Sequence, residues 1–210
     1  MKQQLILASG SPRRQQMLSS LGLKFEVCPM NVDESVRAGE RAADYVERLA
    51  REKAQQAMQV VNADSPVILA ADTTVEVGGT LLGKPESRQD AHRMLGLLSG
   101  TVHRVLTGVA VLSASREDVI CVETRVTFRD LQPAEIDYYW ETGEPKDKAG
   151  SYGLQGIGAA FVSVIDGSYS NVIGLPLVET IALVRSHGIQ VLGTGDESNE
   201  QLLIQDGRHG

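Results

Sequence analysis

The sequence predicts a mixed α/β protein. Three features carry that expectation: short apolar runs of strand length, amphipathic stretches of helical period between them, and two long strand-like segments beyond residue 100. A chain of 210 residues suffices for one sizeable core or for two small lobes sharing a sheet. Leu5-Ile6-Leu7-Ala8 reads as a short buried strand, followed by Ser9-Gly10 and then by Ser11 and Pro12, residues suited to an N-cap and a first helical position. Met17, Leu18 and Leu21 give the helix its apolar spacing. A second strand covers 25–28, and 29–39 is a loop holding Asp33 and Glu34.

The next helix is expected over 42–61, with Val46, Leu49, Ala50, Ala54, Ala57 and Val61 on one stripe. Lys53 falls on that stripe. On its own it reads as a lysine snorkelling to the edge, the other reading being that it points into a pocket. The apolar run 67–77 is the central strand, Gly78-Gly79 a hairpin turn, and 81–85 the return segment. Ser87 and Asp90 have capping-box spacing ahead of a helix through Ala91, Met94, Leu95 and Leu98. Residues 102–112 and 119–128 are long strands; 133–141 is a short helix with Ile136, Tyr139 and Trp140 inward. Residues 159–165 and 169–173 are expected to form a hairpin across Asp166-Gly167, and a last helix runs from Leu177 through Leu183 and Val184. The expected organisation is a single domain over 1–190 and a flexible polar tail over 191–210.

Composition narrows the function classes. Hydrophobic residues at 42% and charged residues at 22% are those of an ordinary soluble protein. A net charge of −7 argues against a basic nucleic-acid groove, while leaving room for a local basic pocket. Cys28 and Cys121 stand alone, so neither a zinc cluster nor a disulfide framework is expected. The first apolar run is too short for a signal peptide and no run reaches membrane-spanning length, so the expected compartment is the cytosol, with no membrane partner.

The unusual residue is Asp72. An ionised carboxylate in an apolar strand is costly unless a cation, a metal or hydrogen-bond donors meet it. Either it caps a bend or it serves a site. The hairpin favours a site, because it carries Lys84 back toward Asp72. A small-residue loop leading into a helix start presents free N–H groups to an anion. Arg13 and Arg14, of the wrong sign for that end of the helix dipole, either meet a phosphate there or are a solvated surface pair.

Ser9, Arg13, Glu34, Lys53, Asp72, Lys84 and Gln155 are thus the oddly placed polar groups. The stretches around them are Leu-Ala-Ser-Gly-Ser-Pro-Arg-Arg at 7–14, Arg-Glu-Lys-Ala at 51–54, Ala-Asp-Thr at 71–73 and Gly-Lys-Pro at 83–85. Further on come Leu-Ser-Gly at 98–100, Asp-Lys-Ala-Gly-Ser-Tyr-Gly-Leu-Gln-Gly at 147–156 and Val-Ile-Gly-Leu-Pro-Leu at 172–177. In order and spacing these resemble the Maf family of nucleoside triphosphate pyrophosphatases, over nearly the whole chain to about residue 188. The resemblance implies an α/β, inosine-triphosphatase-like fold: an elongated two-lobed body on a curved mixed sheet, with the active site in the cleft between lobes. It implies hydrolysis of a nucleotide between the α- and β-phosphates, to monophosphate and pyrophosphate, with Mg²⁺ or Mn²⁺.

By position Asp72 matches the family's proton acceptor. Ser9, Arg13, Glu34, Lys53 and Lys84 match pocket residues, and Arg13, Thr73 and Gln155 match positions linked to base choice. The Ser-Tyr-Gly-Leu-Gln-Gly version resembles the branch acting on dTTP and UTP, with CTP or modified pyrimidines as further candidates. An amide such as that of Gln155 can donate to and accept from the imide edge of uracil or thymine. Glu34 and Asp72 have the hard oxygen chemistry of a divalent-cation site. Many members are homodimers, which makes a second copy a candidate partner. The rival reading is a nucleotide-sensing regulator of septum formation that binds without turnover.

Overall fold

The computed structural model describes residues 3–193. The expected tail lies mostly outside the described residues; within them Val191 is buried against the core.

Seven strands form one mixed sheet among the described residues: β1 (Gln4–Leu7), β2 (Phe25–Val27), β3 (Pro66–Val77), β4 (Thr80–Leu82), β5 (Val102–Leu112), β6 (Glu117–Phe128) and β7 (Val162–Asp166). The spatial order is β2-β1-β3-β5-β6-β7, with β4 added to β3. β1 runs parallel to β2 and β3, and every other pairing is antiparallel. Six α-helices accompany the described strands: α1 (Pro12–Ser20), α2 (Ala42–Val60), α3 (Arg88–Leu98), α4 (Pro133–Glu141), α5 (Tyr169–Ile173) and α6 (Leu177–Ser186).

β3 organises the molecule. One of its edges pairs with β5 from Ile68 to Glu76. The other edge pairs with β1 over residues 66–69 and with β4 over residues 75–77. Between them, residues 70–74 have β5 alone as a partner strand. The loop after β1 begins at this opening, where the Ala8 N–H donates to Leu69 O at 2.8 Å.

Alternation sorts the apolar side chains of β1 and β3 to the two faces of the sheet. Leu5, Leu7, Val67 and Leu69 meet Met17 and Leu18 of α1 and Val184 of α6 on one face. Ile6, Ile68 and Ala70 meet Ala50, Ala54 and Ala57 of α2 on the other. A second core gathers Val75, Leu82, Leu95, Leu98, Val105, Phe128, Tyr139, Tyr152 and Phe161 beyond the opening. β3 and β5 contribute to both of these packing units.

α2 lies unusually close to β5. A Cβ at Gly108 would fall inside the contact radius of the Val46 carbonyl, so only glycine admits the helix at this distance. Gly108 is the register partner of Asp72. Lys53, two helical turns beyond Val46, is thereby brought over the opening.

Most expected elements agree with the structure to within a residue or two. Ser87 Oγ accepts the Asp90 N–H at 3.1 Å as expected of a cap, although Asp90 Oδ2 reaches back to the Glu86 N–H rather than to that of Ser87. The expected hairpin over 159–173 does not form. Residues Ile157–Phe161 are a 3-10 turn and Tyr169–Ile173 is the helix α5. Ser168 caps that helix by accepting the Asn171 N–H, and the buried Asn171 amide donates to Val105 O and Thr124 Oγ1 at 3.1 and 3.0 Å. These long-range bonds draw the segment across β5 and β6 instead of leaving it as a strand beside β7.

Candidate active site

The opening in β3 is the floor of a cleft of about 520 Å³. Its walls come from the loop after β1, the start of α1, the 29–34 loop, the segment after β4, residues 147–155 and the end of α5. All eight residues singled out from the sequence (Ser9, Arg13, Glu34, Lys53, Asp72, Thr73, Lys84 and Gln155) line it.

At the centre, Lys53 Nζ donates to Asp72 Oδ1 and to Glu34 Oε1, both at 2.7 Å. Lys53 and Asp72 are each 8% exposed. The expectation of a snorkelling lysine is therefore wrong: the lysine turns inward because a buried carboxylate from β3 and a half-exposed one from the loop converge on it. Two acids sharing one ammonium leave a negative excess. Burial pushes the Asp72 carboxyl above the ordinary carboxylate range, against the opposing pull of Lys53 and Arg14. Partial burial also opposes ionisation of Glu34, but its hydrogen bond to Lys53 and the charges of Lys53, Lys84 and Arg14 outweigh it and hold that carboxyl below its ordinary value.

The 29–39 loop is pinned to α2. The Tyr45 hydroxyl donates to Glu34 O at 2.9 Å, and Arg48 Nη2 donates to Ser35 O at 3.0 Å while its guanidinium grips Glu40. Burial, with the negative charge of Asp72 and Glu34, pushes the Tyr45 phenol up to about 12, so it remains a donor. Sequence reasoning passed over both residues; the signal for Tyr45 was its one-turn spacing to Leu49 and from Leu49 to Lys53 along α2, and Arg48 had none.

The two adjacent arginines divide. Arg14 enters the floor, donating to Ser9 Oγ at 3.0 Å, Thr73 Oγ1 at 3.0 Å and Gly174 O at 2.8 Å. Thr73 Oγ1 also meets Thr107 Oγ1 at 2.9 Å. Burial lowers the Arg14 guanidinium from its ordinary value, with Asp72 as the main opposing influence. Arg13 stays at the mouth, where Nη1 donates to Asp147 Oδ2 at 2.8 Å. Burial opposes charge on Asp147, yet Lys148 and Arg13 hold its carboxyl at about 2. Arg14 was missed as a site residue, although it shares the inward stripe with Met17, Leu18 and Leu21. Lys84 and Gln155 stand exposed on the rim, Lys84 close enough to act on the charge of Glu34.

The lining carries five basic side chains (Arg13, Arg14, Lys53, Lys84 and Lys148) against three acidic ones (Glu34, Asp72 and Asp147), in a chain of net charge −7. Among the described residues no group of three or more His, Cys, Asp or Glu side chains could enclose a metal. Glu34 and Asp72 nevertheless fit one role in cation binding. Each gives one oxygen to Lys53, and the other oxygen of each is outside that contact. Two hard carboxylate donors suit a cation that takes its remaining ligands from water and phosphate.

Fold and cleft together define an α/β protein with a cationic, carboxylate-floored site for a small polyanion. The model for the family described as Maf-like protein matches residues 4–187, and this chain belongs to that family. A dTTP/UTP pyrophosphatase of Hahella chejuensis is 50% identical over 90% of this chain and 95% of its own length. One of Anaeromyxobacter dehalogenans strain 2CP-C is 53% identical over 90% and 96%. A solved structure of a nucleoside-triphosphatase / dITP/XTP pyrophosphatase from Mycobacterium abscessus is 12% identical over 89% and 96%, with a TM-score of 0.40, a likeness too remote to bear on function.

Proposed function

We propose that this chain is a nucleoside triphosphate pyrophosphatase that converts dTTP and UTP to the monophosphate and pyrophosphate. The observation that carries the reading is the Asp72–Lys53–Glu34 cluster on the floor of a cationic cleft, in a chain about half identical to relatives bearing that activity in their names. The alternative, a sensor without turnover, needs neither a proton acceptor nor a carboxylate pair beneath its phosphate site.

A triphosphate brings several negative charges that must be screened before water can attack phosphorus. Lys84 at the rim and Arg13 at the mouth contribute that screening, Arg13 by exchanging Asp147 for a phosphate oxygen. Arg14 holds Ser9, Thr73 and the Gly174 carbonyl in one arrangement and adds positive charge beneath the substrate. Lys53 occupies Asp72 Oδ1, fixing the carboxylate with Oδ2 as the proton acceptor for the attacking water. Glu34 and Asp72 would hold Mg²⁺ or Mn²⁺, which supplies Lewis acidity and a lowered water pKa when bound. Gln155 offers its amide to the imide edge of the pyrimidine, and Thr73, matched by the resemblance to a position of base choice, lines the same cleft. A free-nucleotide substrate fits the cytosolic setting expected from the sequence.

The test is product analysis with dTTP, UTP, CTP and GTP in Mg²⁺ or Mn²⁺, beside Asp72→Asn. Monophosphate and pyrophosphate from dTTP and UTP, lost in the variant, are expected. Binding without turnover in the unaltered protein would turn the reading to the sensor, and release of orthophosphate would make it a terminal phosphatase.

A further inference from the structure

Gln155 can select a base only if its loop is held still, yet its own side chain is exposed. The hold comes from outside the cleft. Glu144, in the 3-10 turn Glu144–Asp147 after α4, points its carboxylate at the far side of this loop. Its Oε2 accepts the Ile157 N–H at 2.8 Å, and its Oε1 accepts the Gly158 N–H at 3.1 Å and the Tyr139 hydroxyl at 2.8 Å. The same Tyr139 oxygen accepts the Gly153 N–H at 3.3 Å. Gln155 therefore sits between two anchored points, Gly153 on Tyr139 and Ile157-Gly158 on Glu144. At Gly156 a Cβ would overlap Glu144 Oε2, so the loop backbone lies directly against the carboxylate. Tyr139 is fully buried, and burial together with its bond to Glu144 keeps the phenol protonated far above its ordinary range.

We propose that Glu144 is a positioning residue for base selection: with Tyr139 it clamps the 153–158 loop so that Gln155 is presented to the nucleobase at a fixed height. The proposal rests on the reading of Gln155 as the group that meets the base. Glu144 lies outside the set of residues lining the cleft, and its effect reaches substrate only through the loop. A carboxylate is required because three donors converge on two oxygens. An amide has a single acceptor oxygen and would turn an N–H₂ toward at least one of those donors.

The decisive experiment compares the unaltered protein with Glu144→Gln, Tyr139→Phe and Gln155→Ala. It measures kcat/KM for dTTP, dCTP and dGTP and amide exchange at Ile157 and Gly158. Glu144→Gln is expected to speed exchange at both amides and to lower the dTTP preference by about tenfold, with dGTP hydrolysis nearly unchanged. Tyr139→Phe should act in the same direction more weakly, since the two loop amides on Glu144 remain; it also covers the case in which Glu144→Gln fails to fold. A general loss of stability would lower all three nucleotides together and overturn the proposal. So would unchanged exchange, or faster exchange with the preference intact while Gln155→Ala abolishes it. If Gln155→Ala also leaves the preference intact, or no nucleotide is turned over, the reading of the base site is what fails. Exchange at Ile157 and Gly158 then decides for or against the clamp.

Discussion

The floor and the rim of the cleft are built by opposite means. On the floor, Lys53 and Asp72 are buried and Arg14 is partly buried, each hydrogen-bonded and each on a regular element: α2, β3 and α1. On the rim, Lys84 and Gln155 are exposed on connecting segments, and Arg13 is paired with an exposed aspartate. The floor is preorganised at the cost of burying charge; the rim side chains are left to solvent, with the backbone around Gln155 anchored from behind.

That contrast predicts how substitutions should divide. Asp72→Asn should lower kcat on the order of 10²–10⁴-fold with nucleotide binding retained, because the proton acceptor is lost while Glu34 still pairs with Lys53. Isothermal titration beside steady-state kinetics separates the two effects, and near-normal turnover would remove Asp72 from its role.

Lys53→Met should do structural as well as chemical damage. It strands a buried carboxylate and is expected to cost about 3–5 kcal/mol of stability, read by urea denaturation, more than Asp72→Asn costs. Equal stabilities of the two variants would mean that the floor is not an integrated charge cluster.

Lys84→Ala tests the rim. Stability should not change, and KM for dTTP should rise about tenfold with kcat altered less, a dependence that weakens as salt is added. A fall in kcat as large as that of Asp72→Asn would erase the distinction between floor and rim.

Away from the cleft, the core around Phe128 buries a polar ring that is kept neutral. His103 is 1% exposed, with Nε2 on the Tyr152 hydroxyl at 2.8 Å and Nδ1 lacking a hydrogen bond. Burial holds its pKa down to about 4. The unfolded chain therefore binds the proton first as pH falls. The stability contributed by the neutral ring is fully present above about 6.5 and declines toward pH 4, by up to about 3 kcal/mol. His103→Gln should flatten that part of the stability profile while leaving the pH-dependence of catalysis in place.

Much of this was legible in the chain because buried elements impose their period on the residues. The central strand and α2 stood out by pattern, and Asp72 and Lys53 stood out as charges breaking that pattern. What the pattern could not convey was pairing at a distance. Lys53 read as a snorkelling lysine because its partners come from a strand and a loop 19 residues away on either side. Position in the family motif points to Arg13, whereas helical phase places Arg14 inward with Met17 and Leu18. Residues 169–173 look apolar enough for a strand, and only Asn171 reaching Val105 and Thr124 makes them a helix. Glu34 carried no local signal in its loop, since its place is set by Tyr45 and Arg48 from α2.

The interrupted edge of β3 has a mechanical consequence. The strand is a beam braced on both sides at its ends, by β1 and β5 at one and by β4 and β5 at the other, and on one side across residues 70–74. Asp72 and Thr73 ride on that lightly braced span. On its open side that span is held by side chains, Lys53 on Asp72 and Arg14 on Thr73, so removing either cation loosens the strand as well as the charge cluster.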